Sequence, residues 1–207
     1  MLYWIVRHAV FILTKILCRL EVSGSENIPE YGRFIMASNH CSHLDPPIIV
    51  SSVLRKMHFL SKAELFRGKF FEGFFKGCNC IKLDRNGIGR SALKEGVKVL
   101  QRGRGLALFP EGRRSLDGNM GAGKGGVAVF AFASNAPVFP VYIEGSRRAL
   151  PPKSAIIRLF KVRVRIGKAF YAPKDFDKSN RKQAYQEFTE RIMREISQLA
   201  KEATKNS

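Results

Sequence analysis

The sequence predicts an α/β fold: a largely parallel central sheet flanked by helices, preceded by an N-terminal amphipathic, membrane-associating helix. Two observations predict it. Beyond residue 32, short apolar runs of strand length alternate with amphipathic stretches of helix length. Such alternation implies parallel strands joined by crossover helices on both faces of a sheet. The first twenty residues, in contrast, are apolar but carry a stripe of charge. At 207 residues the chain is long enough for one sizeable core and short for two full domains.

The N-terminal stretch reads as a helix lying in a membrane interface. At about 100° per residue, Arg7, His8, Lys15 and Arg19 fall within roughly 120° of one another. Tyr3, Trp4, Ile5, Phe11, Ile12, Ile16 and Leu20 mostly occupy other faces, and Tyr3 and Trp4 suit headgroup depth. A helix packed on the domain and a true span are the alternatives, and the cost of burying charge in lipid counts against the span. No uninterrupted apolar core with a small-residue cleavage site marks a secretory signal. The organisation read from this is an interfacial helix at 1–22 and one domain at 23–207. Ser23 to Tyr31 forms the link.

Within the domain, Arg33–Ser38, Met57–Ser61, Cys80–Leu83, Gly105–Phe109, Val138–Ile143 and Ile156–Ile166 read as strands. The last of these is expected to pair antiparallel at an edge. Ile48–Leu54, Leu65–Phe75, Ser91–Arg102, Lys124–Ser134 and Asn180–Lys201 read as helices. In the final helix, Tyr185, Phe188, Ile192, Ile196 and Leu199 keep spacings of three and four and give one buried face, with Ser179 or Asn180 as cap.

The formal net charge is +19, from 36 Lys+Arg against 17 Asp+Glu. That imbalance calls for a polyanionic partner, either nucleic acid or an anionic membrane face. The cations are scattered and no recognition-helix, zinc or RNA-binding signature appears, so no nucleic acid is expected. Cys18, Cys41, Cys78 and Cys80 make neither a zinc pattern nor a disulfide framework. A reducing cytosol and no metal site are the expectations.

The densest polar cluster is Asn39-His40-Cys41-Ser42-His43-Leu44-Asp45-Pro46-Pro47, directly after the first strand of the domain. Strand ends leading into helix starts are where α/β folds place reactive groups. His40 has the ordinary imidazole pKa of about 6.5 that suits proton abstraction near neutrality. Asp45 could fix its tautomer, provided that His40 sits in the turn before the helix, since positions five apart on a helix diverge by about 140°. Alternatively Asp45 is an N-cap before Pro46, and Ser42-x-x-Asp45 a capping-box variant.

A second cluster, Phe109-Pro110-Glu111-Gly112-Arg113-Arg114-Ser115, also follows a strand. Paired arginines beside a glycine can hold phosphate bidentately, or they are a solvated surface turn. Lys124-Gly125-Gly126 opens a helix, a natural anion site, without the spacing of a P-loop. A third stretch runs from Lys62-Ala63-Glu64-Leu65-Phe66 through Phe70, Phe71, Phe74 and Phe75 to Ile81-Lys82-Leu83-Asp84-Arg85. Its helically spaced aromatics suit core packing first, and an acyl groove or membrane contact second.

Together these blocks resemble the glycerolipid acyltransferases. Asn39 to Asp45 is similar to the family's His-x4-Asp motif; Lys62-Ala63-Glu64-Leu65 and Leu83-Asp84-Arg85 to its second block; Phe109 to Ser115 to its Phe-Pro-Glu-Gly-Thr-Arg-Ser block; and Pro137-Val138-Phe139-Pro140-Val141 to its fourth. All four occur in the family's order across about residues 20 to 170. The most similar subfamily looks like the 1-acyl-sn-glycerol-3-phosphate acyltransferases, which make phosphatidic acid.

The resemblance implies that 23–207 is an acyltransferase domain, with His40 as the base and Asp45 as its orienting partner. It implies Lys62 and Arg114 as phosphate ligands, Glu111 and Gly112 as shapers of the acceptor site, and Arg85 and Lys124 as further substrate contacts. Arg113 stands where the family usually has Thr, and Gly123 where a second Lys is common. The implied co-substrate is acyl-CoA or an acyl carrier protein thioester, with no other cofactor. The implied partners are lysophosphatidic acid and an anionic membrane surface, at the cytoplasmic face of the cell membrane. Another lysolipid acceptor, or a basic nucleic-acid-binding protein, is the alternative.

Overall fold

The computed structural model describes residues 2–84, 87–152 and 154–205. In chain order the elements are α1 (Leu2–Leu17), β1 (Glu21–Ser23), β2 (Phe34–Ser38), α2 (Asp45–Ser52), β3 (Met57–Ser61), α3 (Lys69–Gly77), β4 (Cys80–Lys82), α4 (Arg90–Gln101), β5 (Gly105–Leu108), α5 (Gly126–Ser134), β6 (Val138–Glu144), α6 (Ser146–Ala149), β7 (Arg163–Ile166) and α7 (Arg181–Lys205). The seven strands form one sheet in the order β1-β7-β6-β2-β5-β3-β4. β6, β2, β5, β3 and β4 run parallel, while β7 is antiparallel to β6.

β2 lies at the middle of this sheet, and its sequence explains why. Phe34-Ile35-Met36-Ala37 is apolar without alternation and fully buried, as a strand covered on both faces requires. Phe34 and Met36 face one core with Ile48 and Ile49 of α2. Ile35 and Ala37 face the other with α4, α5 and α7 residues such as Leu100, Phe130 and Ile192. α5 is apolar on all sides because it is buried within that second core. Along α7, Phe188, Ile192 and Ile196 are buried, with Tyr185 packed beside them, as their spacing predicts. Ahead of α7, Asp177 accepts from the Ser179 backbone N–H at 2.8 Å and caps a short 3-10 turn over Lys178–Asn180.

Several elements differ from what their sequence leads one to expect. The strand read as Ile156–Ile166 is only Arg163–Ile166. Strict alternation begins at Lys161, whereas Ile156-Ile157 and Leu159-Phe160 are adjacent apolar pairs that no single sheet face can bury. Nor does β7 form the edge. Glu21–Ser23 pairs parallel outside it, so Glu21 and Val22 belong to the sheet and not to the N-terminal helix. The helix read as Leu65–Phe75 is a 3-10 turn over Ala63–Phe66 and then α3, broken at Gly68, whose φ of 86° no ordinary helix residue adopts. Of its aromatics only Phe66 is buried. Phe70 and Phe71 are well exposed, so core packing does not account for the run.

α1 packs against α2 with its polar side inward. Tyr3 Oη accepts from the Met57 backbone N–H at 2.9 Å. Arg7 Nη2 donates to the Val53 carbonyl at 2.8 Å, and Thr14 Oγ1 to Ser51 Oγ at 3.0 Å. Arg7 therefore leaves the charged stripe expected to face water, and Tyr3 is buried under the domain and does not sit at headgroup depth. Trp4, Ile5, Ile12, Leu13 and Ile16 point away from the protein instead. Among the described residues no helix is long and apolar enough to cross a membrane.

Candidate active site

The register of β2 and β5 builds the site. They are hydrogen-bonded neighbours running parallel, with Ala37 opposite Leu108. The loop after each strand therefore emerges at the same end of the sheet, one carrying His40 and the other Phe109 to Arg114. Crossovers leave β2 by way of α2 on one face and β5 by way of α5 on the other. That divergence opens the crevice in which α/β folds place ligands.

His40 sits in the turn before α2, not on it, so its imidazole can turn back to Asp45. Nδ1 of His40 lies 2.8 Å from Asp45 Oδ2. The same oxygen accepts from the backbone N–H groups of Cys41 at 2.7 Å and Ser42 at 2.8 Å. Asp45 is fully buried, and its other oxygen has no partner among the described residues. The capping alternative is thus half met. Asp45 binds the turn behind it and caps nothing ahead, where Pro46 and Pro47 have no N–H to offer. With Nδ1 engaged, Nε2 is the imidazole nitrogen left for substrate. The ring stacks on Phe109 with centroids 3.9 Å apart and an interplanar angle of 16°.

Glu111 fixes the loop that bears His40. One carboxylate oxygen accepts from the His40 backbone N–H at 3.1 Å and the other from Gly121 at 2.9 Å. Glu111 is buried, so it shapes the site by holding backbone. Ser115 N–H closes the loop pair onto the His40 carbonyl at 2.7 Å. Gly112 takes a φ of 66°, and Lys124 lies over it, close enough that an added Cβ would meet Lys124 Cδ at 3.2 Å. The Lys124 backbone N–H also binds the Pro110 carbonyl at 2.7 Å.

Arg114 is half-buried and near enough to His43 to help burial lower that imidazole's pKa. Arg113 is exposed. Lys62 is exposed just beyond the C-terminal end of β3, at the same sheet edge as Phe109. Arg85 lies outside the described residues. Cys41 is buried, and its thiol is pushed up to about 11 by burial and then by the Asp45 and Glu111 carboxylates. A thiol held protonated in this way is a poor nucleophile.

Sequence reasoning did not foresee the stacking role of Phe109, or Asn39. The Asn39 amide donates to the Ile143 carbonyl at 3.0 Å and accepts from the Ile143 N–H at 2.8 Å, tying the motif to β6. Both residues stand inside the motif blocks, but only the sheet order supplies their partners.

The fold and this constellation define a class: an α/β protein with a His–Asp pair at the C-terminal edge of its sheet and cations around it. A family profile described as Acyltransferase matches residues 19–144, and the chain belongs to that family. Among curated proteins, it is 26% identical over 145 residues to a 1-acyl-sn-glycerol-3-phosphate acyltransferase of Bacillus subtilis, covering 70% of this chain and 72% of that one. It is 30% identical over 125 residues to the enzyme of the same name from Borreliella burgdorferi, covering 59% of this chain and 50% of that one. The crystal structure of the 1-acyl-sn-glycerophosphate (LPA) acyltransferase PlsC from Thermotoga maritima superposes with a TM-score of 0.72 at 26% identity, covering 92% of this chain and 79% of that one.

Proposed function

We propose that this acyltransferase moves a fatty acyl chain from a thioester to the sn-2 hydroxyl of 1-acyl-sn-glycerol-3-phosphate, giving phosphatidic acid. The observation that carries the reading is the 2.8 Å pairing of His40 Nδ1 with Asp45, which leaves Nε2 free beside the Phe109–Arg114 loop. The names of the two relatives and of the solved structure support the choice of acceptor.

In this mechanism His40 Nε2 takes the hydroxyl proton as the oxygen attacks the thioester carbonyl. Asp45 holds the imidazole in the tautomer that leaves Nε2 unprotonated and steadies the imidazolium that forms. The tetrahedral intermediate collapses, the carbon–sulfur bond breaks, and the thiolate of coenzyme A or acyl carrier protein takes the proton from His40. Arg114, Lys62 and Lys124 bind the acceptor phosphate through charge-assisted bonds. The raised Cys41 thiol favours direct transfer over an acyl-cysteine.

The acceptor and product reside in a bilayer, so the domain docks there. The outward apolar side of α1 (Trp4, Ile5, Ile12, Leu13 and Ile16) and the exposed Phe70 and Phe71 of α3 supply the inserting surface. Leu2 packs against Gly77, which joins the two helices into one face. The net charge of +19 adds attraction to anionic lipid at the cytoplasmic face. The test is an acyl-transfer assay across a panel of lysolipids with acyl-CoA and acyl carrier protein donors. Transfer confined to phosphate-bearing monoacylglycerols supports the reading; preference for a zwitterionic lysolipid would overturn it.

A further inference from the structure

We propose that a basic cavity at the far end of the sheet from His40 holds the phosphate-bearing headgroup of an anionic phospholipid of the bilayer on which the protein sits. This rests on the docking reading above and adds a second lipid site to it.

The cavity has a volume of about 490 Å³ and lies between α3, α4 and the edge strand β4. His58 and Arg104 line it, at or beside the N-terminal starts of β3 and β5. His40 and Arg114 follow the C-terminal ends of the same sheet. The length of a strand, roughly 15 Å at about 3.3 Å per residue, separates the two sites. A ligand in the cavity is therefore not the lipid undergoing reaction.

Its lining is cationic. Lys76, Lys98, Arg102 and Arg104 surround it, against one acid, Glu95. Lys76 is paired with Glu72 at 2.7 Å, but Lys98, Arg102 and Arg104 enter no ion pair among the described residues. The dipole of α4 favours Lys98 in its last turn. It does not account for Arg104, which lies outside the helix, or for the hollow they share. Cations left unpaired around a cavity of ligand size call for an anion.

The position selects a lipid as the source of that anion. Lys76 belongs to α3, whose Phe70 and Phe71 are exposed, and the adjacent Gly77 packs against Leu2 of α1. The cavity thus borders the apolar face, and its cations stand where the headgroups of a docked membrane lie. A phosphodiester or phosphomonoester headgroup fits the chemistry; its acyl chains remain in the bilayer beside α1 and α3.

The experiment uses the full chain and vesicles of phosphatidylcholine, with and without phosphatidylglycerol, in a sedimentation assay. Binding of the wild type to neutral vesicles reads the apolar docking alone, and its absence would sink that reading. The gain from phosphatidylglycerol reads the cavity. Lys98→Ala/Arg102→Ala should lower that gain by about 30-fold, from roughly fivefold per cation near an anionic surface, and leave neutral binding unchanged. Lys182→Ala/Lys201→Ala removes the same charge from exposed positions of α7, which packs on β6 away from the edge strand β4, and should change the gain by less than about twofold in about 0.15 M salt, where the screening length is about 8 Å. Equal losses in the two variants would show diffuse attraction and overturn the site. Inorganic phosphate competes for a cavity that holds a phosphate-bearing headgroup, so it should lower the wild-type gain more than chloride does at equal ionic strength. Equal lowering by the two salts would show ionic screening alone and overturn the site.

Discussion

Replacing Glu111 with Ala tests whether the motif loop is held by a buried carboxylate. In the structure this side chain accepts from the His40 N–H at 3.1 Å and from the Gly121 N–H at 2.9 Å while almost out of contact with water. Removing it leaves two backbone donors without their acceptor. The half-buried His40 donor costs about 1–3 kcal/mol, and the Gly121 donor, on an exposed residue, turns to water and loses only the net worth of its bond, about 0.5–1.5 kcal/mol, so the pair costs about 1.5–4.5 kcal/mol. That is a substantial part of a typical domain stability of about 5–15 kcal/mol. Glu111→Gln keeps one acceptor oxygen and turns an amide N–H toward the other donor, so about 1–3 kcal/mol is lost. Urea unfolding followed by circular dichroism gives the stability, and steady-state kinetics gives kcat and the acceptor KM. Both variants should lower the unfolding midpoint in the order Ala below Gln. Both should also lower kcat, because His40 loses its backbone anchor. An unchanged midpoint with a raised acceptor KM would mean that Glu111 contacts substrate and does not hold the loop.

The remaining predictions concern the phosphate, the membrane face and a buried imidazole. Arg114→Ala and Lys62→Ala each should raise the acceptor KM while sparing the donor KM, by the loss of a charge-assisted bond of about 1.5–3 kcal/mol; equal effects on acceptors with and without phosphate would contradict the assignment. Ile5, Ile12 and Ile16 each replaced by Asn should weaken vesicle binding without unfolding the domain, since all three are exposed. Deleting α1 is the poorer test, because it also strips the Tyr3 and Arg7 bonds to the domain. His58 is held neutral, its pKa lowered from 6.5 to about 4 chiefly by burial. The unfolded chain therefore binds this proton first, and the His58 contribution is present above pH 6.5 and lost as pH falls toward 4. The shift corresponds to about 3 kcal/mol, so His58→Leu should flatten that stretch of the stability profile; an unchanged slope would show that His58 is not held neutral.

The parts of the structure legible in the sequence are those whose cause is local. Phe34–Ser38 and Met57–Ser61 show as strands because their apolar runs are short and bounded. For His40 and Asp45 the spacing leaves a pair or a helix cap open and the family resemblance chooses the pair, which forms because a turn before a proline-led helix brings positions five apart together. The direction of α1 was not legible. A helical wheel sets charged and apolar sides apart but does not say which one meets protein. Arg7 turns inward because the Val53 carbonyl at the end of α2 needs a donor, and Val53 is far away in sequence. For the same reason the resemblance marks Glu111 as a shaper of the acceptor site without showing that it does so by holding backbone. Its partners, His40 and Gly121, reach it only once β2 and β5 lie in register. The short strand Glu21–Ser23 has too few residues for a periodicity and forms only against β7.

In the proposed mechanism His40 removes the acceptor proton. The most direct test of this step is the turnover of purified His40→Ala on 1-acyl-sn-glycerol-3-phosphate, with circular dichroism and thermal unfolding to verify the fold. Loss of a general base costs about 10²–10⁴ in rate. A fall in kcat of that size is expected in a folded protein that still binds acceptor. A folded variant with near-normal turnover would contradict the mechanism.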